Sequence, residues 1–153
     1  MSIVDELTGL YNRTGFLILA DHHLKLADRM KEPLTLLFVE LDRPSTDDAA
    51  RRLIVEIGNV IKETLRASDV FGRVADHQFC VLLAGTSAAA ADTVLVRLVE
   101  AVAQFNAREG RTDDLAISVG TARYDPANPM AIEDLMGRAD ELMLEDKRRR
   151  ERS

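Results

Sequence analysis

The 153-residue chain contains one cysteine, no tryptophan and no long run of apolar residues. A single cysteine, Cys80, excludes an internal disulfide, and no group of Cys and His residues has the spacing of zinc ligands. No apolar stretch approaches the roughly 18 residues that a membrane span needs. The first residues lack the basic and apolar segments of a signal peptide. We therefore expect a reduced, cytoplasmic protein without a membrane partner.

Positive charge is also scarce, since 20 Lys and Arg face 26 Asp and Glu for a net charge of −6. Proteins that bind nucleic acid through its phosphates are usually basic, so a nucleic-acid partner is not expected. The exception is a basic tail at 147–153, with five positive charges and one negative charge. A solvated, frayed helix end is the favoured interpretation of this tail, over contact with anionic lipid or nucleic acid.

Hydrophobic residues make up 46% of the chain, enough to form the core of one domain over residues 1–153. Apolar periodicity predicts four helices and four strands in the order α-β-α-β-β-α-β-α. The predicted helices cover 12–30, 49–65, 86–107 and 132–147, and the predicted strands cover 34–41, 70–74, 79–83 and 115–121. This order predicts an α/β, ferredoxin-like fold with a mixed central β-sheet and helices on both faces.

Short motifs along almost the whole chain occur in a distinctive order. They are DELTGLYNR at 5–13, FVELD at 38–42, RVADHQF at 73–79, ISVG at 117–120 and ADELMLEDK at 139–147. In order and spacing they resemble DxLTGLxNR, D-[LI]-D, RxGG[DE]EF, SxG and ADxALYxAK of GGDEF domains, the diguanylate cyclase family. The resemblance implies the nucleotidyl-cyclase-type version of the predicted fold.

Active members of that family join two GTP molecules into cyclic di-GMP, with one GTP bound by each subunit of a dimer. The resemblance therefore implies a divalent metal, held by carboxylates, that stabilises charge on the phosphates. It also implies glycines at the tip of the hairpin, where a Cβ would obstruct the nucleotide.

The hairpin of this chain has lost those residues. Ala75 and Asp76 stand at the two glycine positions, His77 stands at the metal-binding acid, and Gln78 stands at the glutamate that follows. Mg²⁺ prefers hard oxygen ligands, so His77 weakens the implied site. We expect no catalytic residue here, and we interpret His77 as a turn residue at the surface.

Parts of the implied nucleotide site remain in the sequence. Glu40 and Asp42 keep carboxylates at the metal positions, and Lys147 matches a phosphate-binding lysine, although Glu151 stands at its basic companion position. The loop after Asp42 is short and lacks the asparagine of the family's guanine pocket; its acids at 47 and 48 favour helix capping instead. Residual diguanylate cyclase activity, or GTP binding with Mg²⁺, is therefore one alternative.

A second site of the family is better preserved. Arg66 and Asp69 form an RxxD motif just before the hairpin, at the position where the resemblance implies an inhibitory site for cyclic di-GMP. Arg97 matches a further arginine of that site. Arginine suits phosphate or the guanine edge, and aspartate can accept from guanine N–H groups. A local ion pair between Arg66 and Asp69 at a helix end is the simpler alternative.

The leading hypothesis is a catalytically inactive GGDEF-like domain that acts as a cyclic di-GMP receptor through these three residues, without a required cofactor. The main alternative is a protein-interaction or dimerisation domain that binds no nucleotide. Either hypothesis implies a homodimer or a partner signalling protein.

Overall fold

The computed structural model describes residues 2–42, 47–85, 87–108, 110 and 114–152, without the side chain of Asp47. The predicted order of elements is confirmed. The helices are α1 (Arg13–Met30), α2 (Asp47–Thr64), α3 (Ala88–Asn106) and α4 (Ile132–Glu151). The strands are β1 (Leu34–Leu41), β2 (Val70–Ala75), β3 (Gln78–Leu83) and β4 (Ile117–Tyr124). The short loop at 43–46, where a guanine pocket was sought, lies outside the described residues.

The four strands form one sheet in the order β2-β3-β1-β4, with antiparallel pairing between each pair of neighbours. The predicted α/β fold with helices on both faces is confirmed. The predicted mixed pairing of the sheet is wrong, because all three strand pairs are antiparallel. The parallel bridge between Tyr11 and Gly72 of β2 is isolated and involves no second strand. The N-terminal segment thereby lies beside the hairpin of β2 and β3.

Each face of the sheet has its own hydrophobic core because both faces of the central strand β1 are buried. Helices α1 and α4 cover one face, where Phe16, Phe38 and Tyr124 are buried. Helices α2 and α3 cover the other face, where buried apolar residues such as Ile57 and Phe79 form the second core. Cys80 packs in the first core as predicted, and burial raises the pKa of its thiol. The thiol is therefore a packing group.

Side-chain caps explain where two helices begin. Asn12 accepts a hydrogen bond from the backbone N–H of Gly15 at 2.9 Å, and Ser87 accepts one from Ala90 at 3.2 Å. Both are preferred N-cap residue types. At the other end of α1, Lys31 adopts a left-handed conformation with φ of 56°, and its backbone N–H donates to the carbonyl oxygens of Ala27 and Asp28. These caps match the predicted helix starts within two residues.

The end of α4 departs from the prediction. The helix continues through the basic tail to Glu151 instead of fraying after Lys147. Helical spacing also predicts burial of Val99 and Leu142, but these side chains are 55% and 37% exposed. Over the described residues, no helix has the length and apolar character of a membrane span.

Candidate functional site

The carboxylate of Glu40, near the end of β1, is held by two neighbours. Its Oε1 accepts a hydrogen bond from Gln78 Nε2 at 3.1 Å, and its Oε2 accepts one from Lys147 Nζ at 3.0 Å. The Glu40 side chain is only 16% exposed. Burial raises the pKa of this carboxyl, but the hydrogen bonds and the Lys147 charge outweigh burial, so the net pKa is lowered. The same pairing raises the pKa of Lys147.

Asp42, two residues further, faces a second cation. Arg150 on the last turn of α4 lies 3.5 Å from Asp42 Oδ2 and donates to the buried hydroxyl of Ser118. Asp146, one helical turn earlier, accepts from the backbone N–H of Val119 at 3.1 Å and lies 3.9 Å from Arg150. Two cations of the basic tail, Lys147 and Arg150, therefore contact the acidic end of the sheet.

This donor set does not fit Mg²⁺. Mg²⁺ requires near-octahedral oxygen coordination that includes carboxylates. Both oxygens of Glu40 already accept hydrogen bonds, and Arg150 lies at Asp42. Asp42 Oδ1 is buried without a partner among the described residues, but it offers a single ligand. The described part of the chain contains no group of three His, Cys, Asp or Glu side chains that could hold a metal ion.

The tip of the hairpin closes over a cleft of about 590 Å³ that Glu40, Asp42 and Lys147 also line. Asp76 and His77 form the turn between β2 and β3. The Asp76 side chain is 88% exposed and lies 4.0 Å from Arg73, so it stays apart from the Glu40 carboxylate. His77, predicted at the surface, is half-buried in this turn, and its carbonyl accepts from Leu41 N–H at 2.8 Å.

The backbone of this turn does not require glycine. Lys31 has the single positive φ among the described non-glycine residues, so Ala75 and Asp76 both have ordinary backbone angles. Their side chains nevertheless place Cβ atoms at the mouth of the cleft, where glycine would leave room for a ligand to approach. The hairpin thus folds normally with altered chemistry at its tip.

The Glu40–Lys147 pair predicts a pH-dependent effect of Glu40→Gln. At pH 7 the variant should lose about 1 kcal/mol of unfolding free energy, since the pair is only partly buried. A lowered carboxyl pKa stabilises the fold above the unfolded value of 4.5 and ceases to do so as pH falls through the folded value. The raised pKa of Lys147 maintains this effect up to 10.5. Urea unfolding should therefore show a larger difference between the variant and the wild type at pH 7 than at pH 3.

Glu145→Gln is the matched control, because Glu145 is an exposed glutamate on the same helix. It should behave like the wild type at both pH values. An equal loss for Glu40→Gln at pH 3 and pH 7 would contradict the electrostatic explanation.

The RxxD turn lies at the opposite end of β2. Asp69 Oδ2 accepts from the Arg66 backbone N–H at 2.9 Å, and Asp69 Oδ1 lies 3.4 Å from the Arg66 guanidinium. The guanidinium also donates to the carbonyl of Ala84 at 3.3 Å, just beyond β3. The Asp69 side chain is 1% exposed, whereas that of Arg66 is 59% exposed. The turn is therefore a closed local structure with an accessible guanidinium.

A cavity of about 490 Å³ adjoins this turn. The residues that line it come from the N-terminal segment, the end of α2 and the start of β2: Val4, Gly9, Leu10, Tyr11, Lys62, Leu65, Arg66, Ala67, Asp69 and Phe71. Arg97 is absent from this lining. It lies on the exposed surface of α3, nine residues beyond Ala88 and thus about 14 Å along the helix axis.

Asp5 and Arg73 connect the N-terminal segment to the hairpin. Arg73 Nη1 lies 3.1 and 3.2 Å from the two oxygens of Asp5, and Arg73 Nη2 donates to the Asp76 carbonyl at 2.9 Å. Burial raises the pKa of Asp5, but hydrogen bonds from Thr8 and Arg73 outweigh it and the net pKa is lowered. This pair holds the N-terminal wall of the cavity in place.

Sequence reasoning missed several of these residues. The tail charges Asp146 and Arg150 are spaced i, i+4, which indicates one helix face but not the strand acids beneath it. Lys62 lies four residues before Arg66, and this spacing is the signal that could have identified it. Asp5, Tyr11 and Arg73 lie within the motifs at 5–13 and 73–79, but their pairing has no local signal, because the partners lie far apart in the chain.

Comparison with known proteins gives one consistent family. Residues 2–153 match the family described as "Diguanylate cyclase, GGDEF domain". The chain is 31% identical over 132 residues to the probable diguanylate cyclase DgcC of Escherichia coli strain K12, an alignment that covers 82% of this chain and 36% of DgcC. It is 32% identical over 145 residues to the cyclic di-GMP phosphodiesterase NbdA of Pseudomonas aeruginosa, covering 91% of this chain and 18% of NbdA.

Solved structures agree with this result. The crystal structure of the FimX GGDEF domain from Pseudomonas aeruginosa superposes with a TM-score of 0.84 at 26% identity, covering 97% of this chain and 96% of that one. The chain spans about a third of DgcC and less than a fifth of NbdA. The match therefore concerns one domain of proteins whose other parts lie outside the alignment.

Proposed function

The chain belongs to the GGDEF family, and from that premise we propose that it is a catalytically inactive member that binds cyclic di-GMP at the turn of Arg66 and Asp69. The principal support is that side chains of the protein itself already contact the carboxylates of Glu40 and Asp42. Gln78 and Lys147 bond to Glu40, and Arg150 lies against Asp42, at the positions where the family holds metal. The chain's own side chains thus neutralise the site that would activate GTP.

Loss of catalysis follows from the chemistry of phosphoryl transfer. The attack of a 3′-hydroxyl on an α-phosphate needs positive charge next to the phosphate oxygens and the leaving group. Lys147 and Arg150 are paired with strand acids, and Glu151 adds negative charge at the mouth of the cleft. An incoming triphosphate would have to break both pairs beside an additional carboxylate.

Ligand binding at the Arg66 turn is supported by exposure and charge. The guanidinium is more than half exposed, and the hydrogen bonds to Asp69 and Ala84 orient it beside the cavity. An oriented guanidinium can form paired hydrogen bonds with phosphate or with the O6 and N7 atoms of guanine. Cyclic di-GMP offers both groups.

Calorimetry with cyclic di-GMP tests this proposal. Wild-type protein should bind, and Arg66→Ala should weaken the affinity by at least tenfold, because a charge-assisted contact is lost. Arg52→Ala, which removes an exposed arginine from the other end of α2, should bind like the wild type. Arg97→Ala measures whether the predicted third residue contributes. Absence of heat from the wild-type protein at tens of micromolar ligand would refute the receptor function.

Residual enzyme activity is tested separately. The protein is incubated with GTP and Mg²⁺ or Mn²⁺, and the products are separated by chromatography. We expect neither cyclic di-GMP nor the linear intermediate pppGpG above the level of a protein-free blank. Detection of either product would refute inactivity and favour the alternative of residual diguanylate cyclase activity.

One observation favours a second function, a protein-interaction domain that binds no nucleotide. Asp69 is almost fully enclosed and is already paired with Arg66, so the motif is satisfied without a ligand. Such a domain would act through a homodimer or a signalling partner. It predicts no thermal shift with any guanine nucleotide and a mass that rises with protein concentration in light scattering.

A further inference from the structure

The cavity beside the Arg66 turn supplies groups that the RxxD motif alone does not. We infer that, if the proposed function is correct, one guanine of the dinucleotide enters this cavity against Tyr11 and that Lys62 is a phosphate-binding cation. The inference rests on the proposed function and identifies two further binding residues for it. At about 490 Å³, the cavity lies within the roughly 300–1,000 Å³ of small-molecule sites.

Lys62 and Arg66 place two positive charges on one wall of the cavity. Lys62 lies in the last turn of α2, is exposed, and lines the same space as Arg66. Within the described residues, no carboxylate lies within ion-pair distance of Lys62. Its ammonium group is therefore available to an anion, and cyclic di-GMP has two phosphates. A lysine ammonium suits phosphate as a point charge.

The rest of the cavity lining is largely apolar and partly aromatic. Tyr11 is 36% exposed and lies beside Leu10, with Leu65 and Phe71 deeper in the cavity. Purine bases stack on aromatic side chains, and each such contact strengthens binding several-fold or more. A base in this cavity would thus bury its faces while its phosphate remains near the two cations.

The Asp69 carboxylate serves this site indirectly. Both of its oxygens point to Arg66, one to the backbone N–H and the other to the guanidinium. With its side chain 1% exposed, Asp69 is a positioning residue that sets the direction of Arg66. The contacts with ligand are therefore assigned to Arg66, Lys62 and Tyr11.

Calorimetry on Lys62→Ala and Tyr11→Leu tests the inference. Each variant should bind cyclic di-GMP about tenfold more weakly than the wild type. Tyr11→Leu keeps an apolar wall while removing the aromatic face. Lys25→Ala is the charge-matched control, because Lys25 is exposed on α1 away from the cavity, and it should bind normally. Circular dichroism confirms that each variant is folded before titration.

Hydrogen exchange gives an independent measurement on the wild-type protein. Saturating cyclic di-GMP should slow exchange in peptides that cover residues 4–11, which line the cavity, and leave α1 residues 21–30 unchanged. If Arg66→Ala loses affinity while Lys62→Ala and Tyr11→Leu retain it, the inference is wrong and the proposed function survives. If the wild-type protein does not bind, the proposed function itself fails.

Discussion

Replacing Gly120 by alanine should lower the free energy of unfolding by about 3 kcal/mol, because the added methyl group has no space in a packed interface. Gly120 lies in β4 where α4 crosses it. A Cβ at this position would overlap the carbonyl oxygen of Ala139 and the backbone nitrogen of Met143, and it would lie 3.0 Å from Met143 Cα. All three atoms belong to the helix backbone, so no side-chain rotation can relieve the overlap.

The same substitution should also disturb the acidic end of the sheet. Relief of the overlap requires α4 to move away from β4, and α4 holds Lys147 and Arg150 against Glu40 and Asp42. The loss of stability should therefore exceed that of a simple overpacked side chain. Urea unfolding followed by circular dichroism gives the comparison.

Gly137→Ala is the control within the same helix. Nothing lies within 4 Å of a Cβ at Gly137, and alanine is the better helix former by roughly 0.5–1 kcal/mol. This variant should be as stable as the wild type or more stable. A Gly120→Ala protein with wild-type stability would contradict the close approach of helix and strand.

The order of elements was predictable because each apolar pattern is local. Strand β1 was predicted at its observed bounds, since eight consecutive residues serve both cores. Helix α4 was predicted too short, because its last turn has no apolar residue to mark it. That turn is stabilised by contacts such as Arg150 with Asp42, which lie far apart in the chain.

The features of the candidate site also differ in whether the sequence alone could predict them. The changed hairpin tip and the RxxD motif were readable in sequence, because each lies within a few consecutive residues. The cavity beside Arg66 was not, since its walls come from residues 4–11 and 62–71 and meet only after the N-terminal segment docks. Exposure of Val99 was also unpredictable, because helical spacing does not reveal whether a neighbour covers the stripe.

Arg73→Ala should cost roughly 2–4 kcal/mol of unfolding free energy, because it removes one partner of the Asp5–Arg73 ion pair, the lock between the N-terminal segment and the hairpin. Arg73 is 14% exposed, bonds to both oxygens of Asp5 and donates twice to the Asp76 carbonyl. Without it, Asp5 is left as a largely enclosed carboxylate that still accepts two hydrogen bonds from Thr8. Breaking an enclosed pair costs more than the pair contributes.

A double-mutant cycle with Asp5→Ala separates the pair from the other contacts of Arg73. Asp21→Asn is the control, since the Asp21–Lys25 pair is exposed to solvent and should contribute little to stability. Because the pKa of Asp5 is lowered in the folded state, the direction of the pH dependence is fixed. The coupling energy should be present above pH 3.8 and decrease as the pH falls through the pKa of the folded state. A coupling no larger than that of the control would show that the lock is unimportant.

The Arg73 variant also links stability to ligand binding. Asp5 lies between Val4 and Gly9, which both line the cavity, and Tyr11 pairs with Gly72 directly before Arg73. Release of Asp5 should therefore loosen Leu10 and Tyr11 and weaken cyclic di-GMP binding, although Arg73 lies outside the cavity lining. Conversely, a ligand that contacts this wall should restore part of the lost stability by mass action. A thermal-shift titration with cyclic di-GMP compares folded Arg73→Ala with the double variant Arg73→Ala, Lys62→Ala. The ligand should raise the melting temperature more in the single variant, which keeps Lys62. Equal shifts would show that the Asp5–Arg73 pair and the binding site are independent.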